Sequence, residues 1–289
     1  MSLPGLSFEF FPPHGVQASF RLWQAVSELA PLDPDFVSVT FGAGGADHGL
    51  TLDTVKAIKR RFNLVVAAHL TCCNATREET LAVAESYSAA GISEIVALRG
   101  DPPTGTGTFR PHPDGFEDSC ALISALAGLN RFSIRASAYP DPHPEAAGPG
   151  ADVEWLKRKV DAGATSAITQ FFFEAESYFR FRDACDAARI DVPIIPGILP
   201  IEDWTRMKRF ARRCGAHVPA WLADAFEVAL RDDRHDLLAI SVCTELCSDL
   251  LDGGAENLHF YTLNKPHLTK EVIRALRTVP AAASLRYVA

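Results

Sequence analysis

Residues 65–98, VVAAHLTCCNATREETLAVAESYSAAGISEIVAL, hold one building block of the fold. The run VVAAH at 65–69 is short, apolar and β-rich, and EIVAL at 94–98 is another such run. Between them Thr76-Arg-Glu-Glu79 has capping-box spacing, Leu81, Ala84 and Tyr87 share a helical face, and Gly91 ends the element just before the second run. A capped helix that feeds directly into a strand reads as an αβ unit.

The same alternation extends in both directions. β-rich runs recur as SFEFF (7–11), FVSVT (36–40), VVAAH, EIVAL, SIRAS (133–137), AITQF (167–171), IIPG (194–197) and NLHFY (257–261), the first four starting about 29 residues apart. A helix around 155–160 stops at Gly163, and another occupies 268–276. The interval between the seventh and eighth runs accommodates helices at 202–214, 219–230 and 236–251. Eight strands alternating with helices predict a parallel sheet, and a count of eight favours closure into a barrel over an open doubly wound sheet. The expected fold is α/β: a single (β/α)8 TIM barrel with extra helices between strands 7 and 8, one domain over 1–289. The loops at 101–114 and 139–150, rich in Pro and Gly, follow strands and so lie on the face where barrels keep their chemistry.

Composition removes several function classes. With 28 Lys and Arg against 36 Asp and Glu the net charge is −8, which excludes a broad phosphate-tracking surface, so nucleic acid is not an expected partner. No apolar run reaches the ~18–20 residues of a membrane helix. The stretch 1–13 has no basic residue and reaches Pro12-Pro13 quickly, unlike a secretory signal, so a cytoplasmic protein is expected. The seven cysteines show no CxxC or zinc-type spacing, and no metal is expected; Cys72 and Cys73 are not expected to bridge. Ile240, Cys243, Cys247 and Leu250 read as a core stripe.

Polar residues at strand C-terminal ends are the site candidates: Glu9, Thr40, His69, Arg99 with Asp101, Tyr139 with His143, Gln170, and Asn264 with Lys265. Alone, each could equally hydrogen-bond a loop. Glu9 stands apart because it interrupts the apolar run FEFF, where burial is expected to raise its pKa toward that of a general acid. Neither nucleotide motif is complete: Asp47 occupies the third glycine position after Gly42-Ala-Gly44, and 100–105 is followed by Thr106, not Lys. Arg158 and Lys159 could serve a phosphate near a helix start, although a Lys-Arg-Lys run more often marks a solvated face.

Eight strings in order, SFEFFPP (7–13), FVSVTFG (36–42), HLTC (69–72), ALRGD (97–101), KRKVDAG (157–163), ITQFFF (168–173), IPGILP (195–200) and FYTLN (260–264), make the chain resemble the 5,10-methylenetetrahydrofolate reductases of the bacterial single-domain type. The resemblance covers nearly the whole chain. It implies an FAD-containing barrel that takes hydride from NADH, or NADPH, and passes it to methylenetetrahydrofolate by a ping-pong mechanism, supplying methyl groups for methionine synthesis. It further implies a homo-oligomer, and no regulation by S-adenosylmethionine because no second domain follows residue 289.

Carried over residue by residue, Glu9 is the general acid and Asp101 sits by the flavin and pterin. Thr40, Ala43, His69, Arg99, Gly100, Asp101, Tyr139, His143, Ala146, Asp152, Arg158 and Lys159 contact FAD, the basic pair now facing its phosphates. Gln170 reads the pterin, Phe210 packs against either substrate, and Lys265 meets the folate tail. The chain departs from the family pattern at Lys265, where Arg is common, at Asp118 with Ser119, at Trp155 and at Phe41. A pterin-binding methyltransferase barrel and a non-catalytic flavin or folate binder are the competing readings; the methyltransferase would lack flavin colour, and the retained Glu9, Asp101 and Gln170 speak against the binder.

Overall fold

The computed structural model describes residues 4–41, 48–101 and 109–278. Ala43, the glycine run at 42–45, Asp47 and residues 102–108 of the 101–114 loop lie outside them. Along the described residues the elements are β1 (Gly5–Phe10), α1 (Val16–Leu29), β2 (Phe36–Val39), α2 (His48–Phe62), β3 (Val66–Thr71), α3 (Arg77–Ala89), β4 (Glu94–Leu98), α4 (Ser119–Gly128), β5 (Ser133–Ala138), α5 (Ala151–Asp161), β6 (Ser166–Thr169), α6 (Ala175–Ala187), β7 (Ile194–Ile195), β8 (Gly197–Ile198), α7 (Trp204–Cys214), α8 (Ala220–Arg231), α9 (His235–Asp252), β9 (Asn257–Tyr261) and α10 (Pro266–Thr278). The capping box expected before α3 is present, with Thr76 and Glu79 exchanging side-chain and backbone bonds. The expected insertion between the seventh and eighth strands is α7 to α9.

Every strand pair is parallel, in the order β7-β6-β5-β4-β3-β2-β1-β9-β8. β7 and β8 are two halves of one stave separated by Pro196. The first half pairs with β6 (Ala167↔Ile194) and the second with β9 (Gly197↔His259), so this bent stave closes the ring. Proline has no N–H for the ladder, but its carbonyl still accepts from His259 N at 3.0 Å. Thr169 Oγ1 accepts from Gly197 N at 2.8 Å, and the Tyr261 hydroxyl donates to Thr169 O at 2.6 Å, spanning the gap.

Strand alternation divides the interior from the helix layer. Leu6, Phe8 and Phe10 of β1 join the large core formed with the helices, together with Val37, Val39, Ala68, Leu70, Leu258 and Phe260. Phe8, Phe10 and Phe260 are wholly buried, each contributing about 2–3 kcal/mol by removal from water. The intervening residues form the barrel interior: Phe36, Ala67, Val96, Ile168 and Ile195 make a small apolar floor, with the polar residues above it. Cys243, Cys247 and Leu250 are buried in the helix-side core, as the stripe on α9 predicted. A separate apolar cluster around Trp204, Met207, Leu222 and Phe226 holds the inserted helices together.

Closure at the bent stave depends on the missing side chain of Gly197. A Cβ there would stand 2.1 Å from Thr169 O and 2.6 Å from the Tyr261 ring. Gly197→Ala is therefore expected to cost about 2–4 kcal/mol in urea unfolding. A loss below ~0.5 kcal/mol would mean the seam does not need that approach.

Candidate active site

Glu9, Ser7, His69, His259 and Tyr261 are brought together inside the barrel by side-chain alternation on β1, β3 and β9. Register places Glu9 opposite Ser38 and Tyr261, and Ser7 opposite His259. His69 Nε2 lies 3.3 Å from Glu9 Oε2 and His259 Nε2 lies 3.9 Å from the same oxygen. On its other side His259 shares a hydrogen bond with Ser7 Oγ, Nδ1 to Oγ 2.8 Å. Ser38 Oγ, His69 Nε2 and His259 Nε2 are buried without an aligned hydrogen-bond partner, a concentration of unsatisfied groups typical of a working site.

This neighbourhood reverses one expectation. Phe8 and Phe10 point out to the helices, so Glu9 is surrounded by imidazoles rather than phenyl rings. Burial is the largest single influence and pushes its pKa up, but the His259 and His69 rings facing it through Nε2 together outweigh burial and hold the carboxyl at about 2. Burial also lowers the pKa of His259, against the pull of Glu9.

A second group lies along β4, β5 and α5. Arg99 Nη1 pairs with Glu145 Oε2 at 2.6 Å and its guanidinium covers Phe109 at 4.7 Å. Gly100, at φ 86°, would place a Cβ 2.8 Å from that of Cys73, so the turn carrying Arg99 into Asp101 needs glycine. Asp101 is exposed, its carbonyl accepting from the Cys73 thiol at 3.1 Å. Tyr139 meets His143 edge to face at 4.7 Å. Asp152 Oδ2 accepts from His143 N at 3.2 Å, and Ala146 N donates to His143 O. Thr40 N continues the ladder to Phe10 O at 2.9 Å.

Arg158 and Lys159 lie in the last turn of α5, not near its start, so the positive end of the helix dipole is not beside them. They also differ from each other. Arg158 is exposed, stacks on Trp155 at 4.1 Å and reaches Asp118 at 3.4 Å. Asp118 simultaneously caps α4 by accepting from Ala121 N, which gives that departure from the family pattern a structural role. Lys159 is buried, donating to Ser137 O at 2.7 Å and Ser137 Oγ at 3.0 Å, and burial lowers its pKa to about 8.

Gln170, Phe210 and Lys265 occupy the rim. Gln170 follows β6 and its Oε1 accepts from Phe171 N; Phe171 stacks on Phe210 at 5.2 Å and approaches Tyr261 at 6.5 Å. Lys265 pairs with Glu202 at 3.6 Å. Asn264 clasps the backbone of Phe11 from both sides, a structural task. Ser7, His259 and Tyr261 were not among the sequence candidates. Alternation was the available signal, since Ser7 shares a strand face with Glu9, and His259 with Tyr261.

A (β/α)8 barrel with ionisable groups at its axis and C-terminal rim defines the general class, an enzyme-like barrel. The same fold is seen in a Clostridium thermocellum protein described as binding two copies of 5-methyl-5,6,7,8-tetrahydrofolic acid, with a TM-score of 0.62 at 14% identity over 95% of this chain and 94% of that one. Residues 3–277 match the family model of methylenetetrahydrofolate reductase. The chain is 42% identical to 5,10-methylenetetrahydrofolate reductase of Salmonella typhimurium over 276 residues and 43% identical to that of Escherichia coli over 277, covering 95% of this chain and 91% of each relative. Methylenetetrahydrofolate reductase (NADH) 1 of Arabidopsis thaliana is 34% identical over 89% of this chain and 46% of its own length. The chain belongs to the methylenetetrahydrofolate reductase family.

The opposing influences on Glu9 can be separated. Replacing His69 and His259 together with leucine leaves burial unopposed, so Glu9 is expected to titrate above its ordinary 4.5 instead of at about 2. Carboxyl-carbon NMR on the double variant checks this; an unmoved resonance would show that the histidines do not hold the charge.

Proposed function

We propose that the protein is a flavin-dependent oxidoreductase that reduces 5,10-methylenetetrahydrofolate to 5-methyltetrahydrofolate. NADH is the donor, in preference to NADPH, and a ping-pong reaction runs through FAD within one catalytic barrel. Its place is the cytoplasm, as a homo-oligomer supplying methyl groups for methionine synthesis. The observation carrying the reading is a carboxylate flanked by two imidazoles inside the C-terminal half of a barrel of this family.

The residues suit a dinucleotide. Lys159 is a buried cation with no ion-pair partner among the described residues, and Arg99 and Arg158 lie in the same β4–α5 region, so the donor set matches a diphosphate. Tyr139 and His143 offer ring faces and edges, while Thr40, Gly100, Ala146 and Asp152 form the surrounding backbone and polar rim. FAD bound there would supply two-electron transfer between nicotinamide and folate. Asp101 faces the same mouth and would stabilise positive charge developing on the folate.

Glu9 acts as the acid toward the folate amine nitrogen whose bond to the methylene carbon opens. In the free protein the facing imidazoles outweigh burial, which by itself favours the neutral form. A pterin ring that displaces water from Glu9 adds to that influence and brings the proton within reach near neutral pH. Gln170 presents an amide to the pterin, Phe210 on Phe171 supplies an apolar cover, and Lys265 offers a point charge to the tail carboxylate.

Anaerobic half-reactions test the reading. Flavin absorbance should bleach with NADH and return with methylenetetrahydrofolate; a colourless protein, or one that folate cannot reoxidise, overturns it. Glu9→Gln should leave the NADH step unchanged and slow the folate step about 10²–10⁴-fold. Equal losses in both steps would remove Glu9 from the acid role.

Lys159 adds a pH signature. Above pH 8 the free protein has largely lost that proton, whereas a bound diphosphate favours the ammonium. Flavin binding at pH 9 is therefore expected to take up a proton, and affinity should fall as pH rises through 8 to 10. Calorimetry in buffers of different ionisation heat measures the uptake; none at pH 9 would place the phosphates elsewhere.

A further inference from the structure

Beneath the Glu9 cluster, toward the N-terminal ends of the strands, the interior contains a second charged pair that no step proposed above uses. Arg135 Nη2 meets Glu94 Oε2 at 2.9 Å, and Nη1 donates to Ser166 Oγ at 3.0 Å. Both charged side chains are more than four-fifths enclosed, and Arg135 Nε is buried without a partner. The guanidinium carbon lies 3.8 Å from the centre of the Phe36 ring. The same ring stacks on His259 at 5.7 Å with 15° between planes. One phenyl ring thus touches both a permanent cation and the imidazole beside Glu9.

We propose that Arg135 and Glu94 are positioning residues for the Glu9 cluster: the guanidinium, stacked on the Phe36 ring that also faces His259, disfavours an imidazolium there, so that His259 meets Glu9 as a neutral ring. A carboxylate between two histidines otherwise tends to become an ion pair, with the proton trapped on an imidazole and the acid disabled. The groups facing His259 can be taken element by element. Glu9 and Ser7 of β1 meet its two ring nitrogens, and the Glu9 charge favours imidazolium. His69 of β3 and Arg135 of β5 oppose it, as does burial, the largest influence. Tyr261 of β9 approaches edge-on at 5.3 Å and Phe36 of β2 supplies the stacked face. Glu94 of β4 acts indirectly, by partly cancelling the guanidinium charge, and Asp35 adds to that cancellation.

The inference rests on the acid role proposed for Glu9, but its primary readout does not. In the full-length protein, NMR titration of the His259 ring is expected to move up by about one pH unit in Arg135→Met, since a like charge is removed. In Glu94→Gln, which unmasks the guanidinium, it should move down. Arg135→Lys should restore a midpoint near that of the unaltered protein despite losing the two-pronged contact. A purely structural role would disturb His259 alike in both charge-altering variants, so shifts of the same sign, or none in Glu94→Gln, overturn the proposal even if Arg135→Met does not fold. Under stopped flow, Arg135→Met should slow the folate step about tenfold at pH 7 and spare the NADH step; equal loss in both also overturns it. If the unaltered protein fails to reduce methylenetetrahydrofolate, the functional reading falls while the opposite-sign titration still decides whether Arg135 controls His259.

Discussion

The ladder between β1 and β9 is the constraint on which the rest of the structure depends. It joins Gly5 to Asn257 and continues in register to Glu9 opposite Tyr261. Beyond the last pair, Thr262 Oγ1 donates to Glu9 O at 2.6 Å and the Asn264 side chain holds Phe11. Because side chains alternate, this register turns Ser7, Glu9, His259 and Tyr261 inward together and Phe8, Phe10 and Phe260 outward together. A slip of one residue would put a carboxylate in the helix layer and a phenyl ring on the axis. The apolar side of the ladder therefore enforces the chemistry on its polar side.

Much of the architecture was legible from β-rich runs separated by helix-length intervals. All eight expected strands occur, and the capping box at Thr76 and the glycine after α3 sit where the residues indicated. Pro196 splits the seventh strand, expected as one continuous run over 194–197, into two short halves. The site was read less completely. Looking only at strand C-terminal ends finds Glu9 and His69 but passes over Ser7 and His259, which lie one inward step deeper. Neighbours in sequence also misled the electrostatics: the flanking phenylalanines of Glu9 face away, and its true neighbours come from strands 60 and 250 residues distant. Lys159 reads as a surface charge in a basic run because nothing local reveals that α5 turns it onto Ser137.

The interior is organised as two ionic layers separated by an aromatic ring. The upper layer, Glu9 with His69 and His259, has unsatisfied nitrogens and exchangeable protons. The lower, Arg135 with Glu94, pairs a cation that does not titrate near neutrality with a carboxylate. Such buried charges contribute little net stability compared with apolar packing, so their presence is better explained by the field they set. The apolar residues Ala67, Val96, Ile168 and Ile195 pack with Phe36 in one buried cluster.

The partnership of the first strand with the ninth also has a consequence for synthesis. Glu9 is made well before both its closing strand and one of its two imidazoles, which are encoded some 250 residues later. Until then β1 presents one unpaired edge and an apolar row that no helix of the C-terminal part can cover. The nascent protein must therefore carry its future centre as an exposed edge strand until β9 is made, and the ring cannot close before then.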